Sequence, residues 1–235
     1  MSKFSLVIPT MWRYAPFVDF LTHLVKLDLV GEIIIIDNDI TKTPKDQILH
    51  HPKVKLHRFI KNIFVNPAWN YGVAVSSYDK ICIMNDDIIF DLKVFSILED
   101  LLKQGTMYTV CPEYDKSKTV TGDPIIRHFK NDIALFHFGA LMFVHKEDWI
   151  EIPAGLDISH GDNWIWETML CRHNQNYVVQ NLFYHTPGSV TNSTITNDLD
   201  KEFRIFAATC RRTFRRNQGC LEHCKPNCPL KNVRY

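Results

Sequence analysis

The chain lacks any apolar run long enough to cross a bilayer. Its longest nearly apolar stretch, Ile133 to Val144, spans twelve residues and is interrupted by His137, against the roughly 20 residues that a spanning helix needs. A signal-like start is missing too. Met1-Ser2-Lys3 runs directly into the strand-like Phe4-Ser5-Leu6-Val7-Ile8-Pro9, which leaves no room for an apolar h-region and cleavage site. The expectation is a cytoplasmic protein, or one acting at a membrane only peripherally. Internal repeats and low-complexity linkers are also absent. With 235 residues, 46% hydrophobic, 12% aromatic and 23% charged, the composition excludes disorder, collagen and small disulfide scaffolds. One large globular domain with a tail is left.

Net charge is nearly absent, at +1, but it is unevenly spread. Residues 204–235 carry six Arg and two Lys against the single acid Glu222, a balance of +7 that leaves the rest of the chain at −6. A basic end on an acidic body suits an anionic partner such as nucleic acid or a lipid surface, and it equally suits a solvated helix face. The seven cysteines, with no secretion signal, argue against a disulfide framework. Paired CxxC spacing is lacking. Cys220, Cys224 and Cys228, with His223 among them, fall within the loose range for a structural Zn²⁺, and free thiols are the other reading. Pro226 and Pro229 argue against a continuous helix there.

What is present is an alternation of strands and helices. Residues 4–9 and Glu32-Ile33-Ile34-Ile35-Ile36-Asp37 are short apolar runs ending in polar residues, as in strands buried on both faces of a sheet. Between them, Phe17, Phe20, Leu21, Leu24 and Leu27 have helical spacing over Ala15 to Leu29, giving a βαβ unit. Thr43-Pro44 reads as the start of a short helix before a third strand, Val54 to Phe59. A helix is expected over Asn66 to Ser76, a strand at Ile81 to Met84, a helix over Leu92 to Leu102 and a strand at Tyr108 to Cys111. The second half reads as a polar loop from Pro112 to Phe129 and a strand near Phe138 to Val144. Beyond these come a helix after Gly161, a strand at Tyr177 to Phe183 and a helix from Leu199. In such an open, mostly parallel α/β sheet, ligands bind beyond the carboxyl ends of the strands.

Asn85-Asp86-Asp87 follows a buried strand directly. Two adjacent carboxylates repel unless a cation or a donor network neutralises them, and a hard divalent ion shared with substrate phosphates is one such partner. A turn that caps the next helix is the other. The run Asn62 to Gly72, then the strand, then Asn85-Asp86-Asp87 resembles the acidic-motif region of nucleotide-sugar glycosyltransferases of the GT-A fold, and among them the inverting family 2. Val7-Ile8-Pro9-Thr10 resembles that family's first strand and Ile36-Asp37-Asn38 its second. Gly139 to Phe143, Gly155-Leu156-Asp157 and Gly161-Asp162-Asn163-Trp164 resemble its acceptor side. The match covers roughly residues 4–190. Two positions depart from the pattern: Asn85 stands where Asp is commoner, and Gly-Asp-Asn replaces Glu-Asp.

The resemblance implies a Rossmann-like GT-A domain over 1–197, with a helix and basic Cys-rich tail over 198–235. It implies that Thr10, Asp37, Asn38, Asn70 and Asp86 bind the nucleotide sugar, that Asp87 and His185 hold Mn²⁺ or Mg²⁺, and that Asp162 is the general base. The last position also suits a first-turn acid of the following helix. Trp164, Arg211 and Arg215 are the candidates for the acceptor, a glycan, a lipid-linked sugar or a hydroxymethylated DNA base, with core packing the other reading for at least one of Trp164 and Trp166. Two other readings stand beside this one. A nucleotidyltransferase would carry a glycine-rich loop after its first strand, and Pro9-Thr10-Met11-Trp12-Arg13 has no glycine to form a phosphate nest. A non-catalytic nucleic-acid-binding protein would keep its function when the acids at 86, 87 and 162 are neutralised.

Overall fold

The computed structural model of the chain describes residues 3–110, 122–129, 138–172, 174–185, 201, 202 and 204. Arg211, Arg215 and the Cys220, His223, Cys224 and Cys228 group lie outside these residues. In chain order the elements are β1 (Phe4–Thr10), α1 (Pro16–Leu24), β2 (Val30–Asp37), β3 (Val54–Arg58), α2 (Val65–Val75), β4 (Lys80–Met84) and β5 (Ile89–Phe90). Then follow α3 (Val94–Leu98), β6 (Thr106–Val110), β7 (Ile125–Phe129), β8 (Leu141–His145), α4 (Gly161–Cys171), β9 (Gln175–Gln180) and β10 (Tyr184–His185). Eight strands form one sheet in the order β3-β2-β1-β4-β8-β6-β9-β7, and β10 pairs with β5 in a small second one.

Period-two alternation inside the apolar runs builds a core on each face of the sheet. Leu6, Ile8, Ile33, Ile35, Cys82 and Met84 pack toward α1 and α3, whose Phe17, Leu21, Phe95 and Leu98 are buried against them. Val7, Ile34, Ile36, Ile81 and Ile83 pack the other way, onto Ala68 and Trp69 of α2 and Trp164 and Met169 of α4. Gly72 lets α2 lie close to β1, because a Cβ there would collide with the Val7 side chain. Among the described residues no helix is long and apolar enough to cross a membrane.

The sheet is largely parallel, as the sequence pattern pointed to, but mixed. β1 pairs parallel with β2 and β4, β2 with β3, and β6 with β9, whereas β8 runs antiparallel to β4 and β6, and β7 antiparallel to β9. β7 itself corrects the expected loop, since Ile125 to Phe129 adds to the free edge of β9. The helix expected at Thr43 starts later: Asp46 Oδ1 accepts from Ile48 N at 2.9 Å and caps a short 3-10 turn at Gln47–His50. α1 and α3 are shorter than their apolar spacing suggested. β9 ends at Gln180 because Asn181 turns left-handed, at φ 60°, a conformation Asn tolerates. The chain then leaves the sheet and returns as β10.

Two features of this topology position the site. Strand order runs outward from β1 in both directions, so a crevice opens beyond the carboxyl ends of β1 and β4, as at the switch points of open α/β sheets. Because β8 is antiparallel to β4, with Leu141 opposite Met84, the Phe138–Ala140 turn that precedes it lies at the same end.

Candidate active site

Thr10 closes β1 and Asp86 follows β4, and their side chains meet across the crevice: Thr10 Oγ1 donates to Asp86 Oδ2 at 2.6 Å. Burial pushes the Asp86 carboxyl up from 3.8 to about 6, with the neighbouring Asp87 charge adding to the rise and the Thr10 and Met11 hydrogen bonds opposing it. Burial raises Asp87 as well. Among the described residues the ion pairs use Asp37, Asp39, Asp91 and Glu32, and none reaches Asp86 or Asp87. The pair therefore has carboxylate oxygens without a protein cation, the donor set that Mg²⁺ or Mn²⁺ takes. Among the described residues no group of three His, Cys, Asp or Glu side chains is placed to hold a metal, so a cation at Asp87 would complete its shell with phosphate oxygens and water. His185 sits on β10 opposite Ile89, two residues beyond Asp87. Its side chain is exposed and does not join the two acids as a third ligand.

Asp162 reaches the same end from the opposite side. It lies in the first turn of α4, after His160 in left-handed backbone at φ 59°, and its Oδ1 accepts from Asn163 N at 2.9 Å. Gly139 packs directly against the Asp162 carboxylate, so tightly that a Cβ there would overlap it. One residue on, Ala140 O accepts from Asn85 N at 3.0 Å. The turn before β8 thus ties the acids after β4 to the acid of α4.

Four residues that the resemblance offered for ligands have protein partners in this structure. Asp37 and Asn38 belong to the crevice wall, with both side chains engaged by protein. Asp37 is 0% exposed, and its carboxylate accepts from Trp12 Nε1 at 2.8 Å, Asp39 N at 3.1 Å and Thr43 Oγ1 at 2.5 Å, as a buried carboxylate must. Asn38 clamps the Ile63–Phe64 segment, accepting from Ile63 N and donating to Phe64 O. Asn70 holds the Trp149–Ile152 segment: its Oδ1 accepts from Ile152 N at 2.9 Å and Trp149 Nε1 at 3.2 Å, while its Nδ2 donates to Ile152 O. Trp164, offered for the acceptor, is 0% exposed in the core with Nε1 donating to Ile150 O, because its position on α4 faces the sheet.

Residues 5–165 match glycosyl transferase family 2. The chain belongs to that family. Structures similar to this family 2 chain include GalNAc-T7 with UDP, GalNAc and Mn²⁺, at TM-score 0.63 and 11% identity, covering 91% of this chain and 50% of that one. Another is TarS 1–349 of S. aureus in complex with UDP-GlcNAc, at TM-score 0.59 and 14% identity, covering 88% and 66%. TarS 1–349 with UDP gives 0.55, 14%, 88% and 64%. At these identities the likeness is one of fold, and the chain spans about half to two-thirds of the length of those proteins. No curated protein matches the sequence.

Trp12, noted only in the glycine-free loop after the first strand, and Asn66, within the Asn62 to Gly72 run, were given no role from sequence, and both shape the site. Trp12 is left-handed at φ 57°, donates its backbone N–H to Thr10 Oγ1 at 2.8 Å and its indole N–H to Asp37, linking the two walls of the crevice. Asn66 is fully buried and bonds to the loop before α4, Nδ2 donating to Leu156 O and Ser159 O. Asn66-Pro67 at a helix start is a sequence signal for the element, but nothing local gives the long-range partner.

Proposed function

We propose that this chain transfers a sugar from a nucleoside-diphosphate donor to an acceptor hydroxyl, with inversion at the anomeric carbon. The observation that carries this reading is the convergence of Asp86 and Asp87 with Asp162 at one end of the sheet, joined through the Gly139–Ala140 turn. Family membership and the UDP-bound structures of similar fold support a uridine donor. Asp87 would hold Mn²⁺ or Mg²⁺, which when bound supplies positive charge against the departing diphosphate. Thr10 orients the Asp86 carboxylate across the crevice. Asp162 takes the proton from the acceptor hydroxyl as its oxygen bonds to the anomeric carbon and the nucleoside diphosphate leaves, a general-base contribution of about 10²-fold to 10⁴-fold.

Thermal stability tests the donor half directly, because selective binding stabilises by about 2.7 kcal/mol at a hundredfold excess over Kd. UDP with Mn²⁺ is expected to raise the melting temperature of the wild type and to have no effect on Asp87→Ala. A shift with UDP that ignores Mn²⁺ and survives Asp87→Ala would remove the metal site from the proposal. No shift with UDP, GDP, CDP, ADP or dTDP, with or without Mn²⁺, would remove the transferase reading.

A further inference from the structure

Glu202 lies 40 residues beyond Asp162 in sequence, and its carboxylate is only 3% exposed. It is spent on two residues. Oε2 accepts from Ser159 N at 2.6 Å and from Ser159 Oγ at 2.8 Å, and Oε1 accepts from Ile158 N at 3.1 Å. From the other side Asn66 N donates to Asp157 O at 3.0 Å, while its side chain holds Leu156 O and Ser159 O. The loop entering α4 is thus gripped between the start of α2 and a helical residue beyond position 200. Immediately after the grip comes His160 in left-handed backbone, a strained conformation that persists only where the surroundings over-determine it. Two residues further on is Asp162.

We infer that Glu202 is a positioning residue for Asp162, fixing the entry of α4 so that its first-turn carboxylate lies against Gly139 at the strand ends. This rests on the reading of Asp162 as the base. The packing of α4 does not depend on the grip, since Trp164, Ile165, Trp166 and Met169 anchor the helix in the core on their own. What the grip sets is the direction from which the helix starts. A displacement of about 1 Å at a reacting group costs on the order of 10²-fold in rate, so a carboxylate remote in sequence can govern turnover without touching substrate.

The test uses the full chain with Glu202→Ala, Glu202→Gln and Ser159→Ala, and with Asp162→Asn as the reference for loss of the base. UDP release from UDP-GlcNAc with water as acceptor gives kcat and KM, UDP with Mn²⁺ gives binding by thermal shift, and amide exchange follows Ile158 to Asn163. Glu202→Ala is expected to lower kcat by about tenfold to a hundredfold, with KM and UDP binding unchanged and exchange at 158–163 accelerated. Glu202→Gln, which keeps an acceptor oxygen, should recover part of the loss, and Ser159→Ala should lose least. Unchanged kcat or unchanged exchange in Glu202→Ala overturns the inference, as does a parallel loss of UDP binding. If Asp162→Asn is inactive while Glu202→Ala is normal, this inference alone fails. If the wild type releases no UDP, or Asp162→Asn releases it at the wild-type rate, the base assignment falls and takes the positioning role with it.

Discussion

Asp86 is costly to the fold in its ionised form. Its folded pKa stands above the unfolded value of 3.8, at about 6, mainly through burial. The contribution to stability is therefore fully present below about pH 3.8 and is lost as pH rises through about 6. Without metal, Asp86→Asn should stabilise the chain at pH 8 and make no difference at pH 4. At about 1.4 kcal/mol per pH unit, the gain is on the order of 2 to 3 kcal/mol, read by denaturant unfolding at the two pH values. With Mn²⁺, protons and cation compete for the pair, so the stabilisation by UDP with Mn²⁺ should fade as the pH drops below about 6. The adjacency of the two acids after a buried strand was legible in the sequence. The hydrogen-bond partners of Asn70 and Trp164 were not. A polar amide or an aromatic ring carries the same letters whether it faces a ligand or closes a hydrogen bond inside the core, and the Ile152 partner of Asn70 lies 82 residues along the chain.

At the scale of elements, the antiparallel β8 is what brings a third acid to the strand ends. Apolar runs showed which segments are strands and which faces they bury, and this part of the fold was readable: β1, β2, β4 and β6 lie where expected. Pairing partners were not. Nothing local in Leu141 to His145 says that it inserts between β4 and β6, nor in Ile125 to Phe129 that it extends the β9 edge, where Ile125 and Ile126 stay exposed. Two glycines separate the roles of close packing. Gly139→Ala would push a methyl into the Asp162 carboxylate, so it is expected to lower the rate of UDP release by about 10²-fold while UDP binding is kept. Gly72→Ala would push the same group into Val7, between α2 and β1. It should destabilise by about 1 to 3 kcal/mol, leaving kcat of the folded fraction near wild type. Steady-state kinetics beside denaturant unfolding distinguishes the two patterns.

The two ends of the sheet treat buried carboxylates in opposite ways, and this gives them opposite pH responses. At the amino ends Glu32 is 2% exposed. Burial alone would raise its pKa, but Lys55, Ser5 and Ser77 together outweigh burial and hold it below 4.5. The Ser5 hydroxyl donates at 2.6 Å and the Ser77 amide at 2.5 Å, with the Lys55 ammonium paired to the other oxygen. Stability from Glu32 is present above its unfolded value of 4.5 and is lost as pH falls through its lower folded pKa. At the carboxyl ends burial outweighs the Thr10 and Met11 hydrogen bonds to Asp86, and no ion pair among the described residues reaches Asp86 or Asp87; both carboxyls are raised and give the opposite slope, the Asp86 contribution being lost as pH rises through about 6. One end neutralises its buried carboxylate within the fold, and under the proposed function the other would take a cation and phosphates. Between them, these two contributions to thermal stability without ligand should therefore be greatest near about pH 4 to 5, where Glu32 is largely ionised and most of the Asp86 contribution is still present. UDP with Mn²⁺ should move that maximum above pH 6, because it stabilises the ionised pair. In Glu32→Gln the acid-side fall should flatten, with overall stability lower by roughly 1 to 3 kcal/mol for the weakened buried network. A maximum that stays in place when UDP and Mn²⁺ are added would show that the carboxyl-end acids do not titrate against the cation.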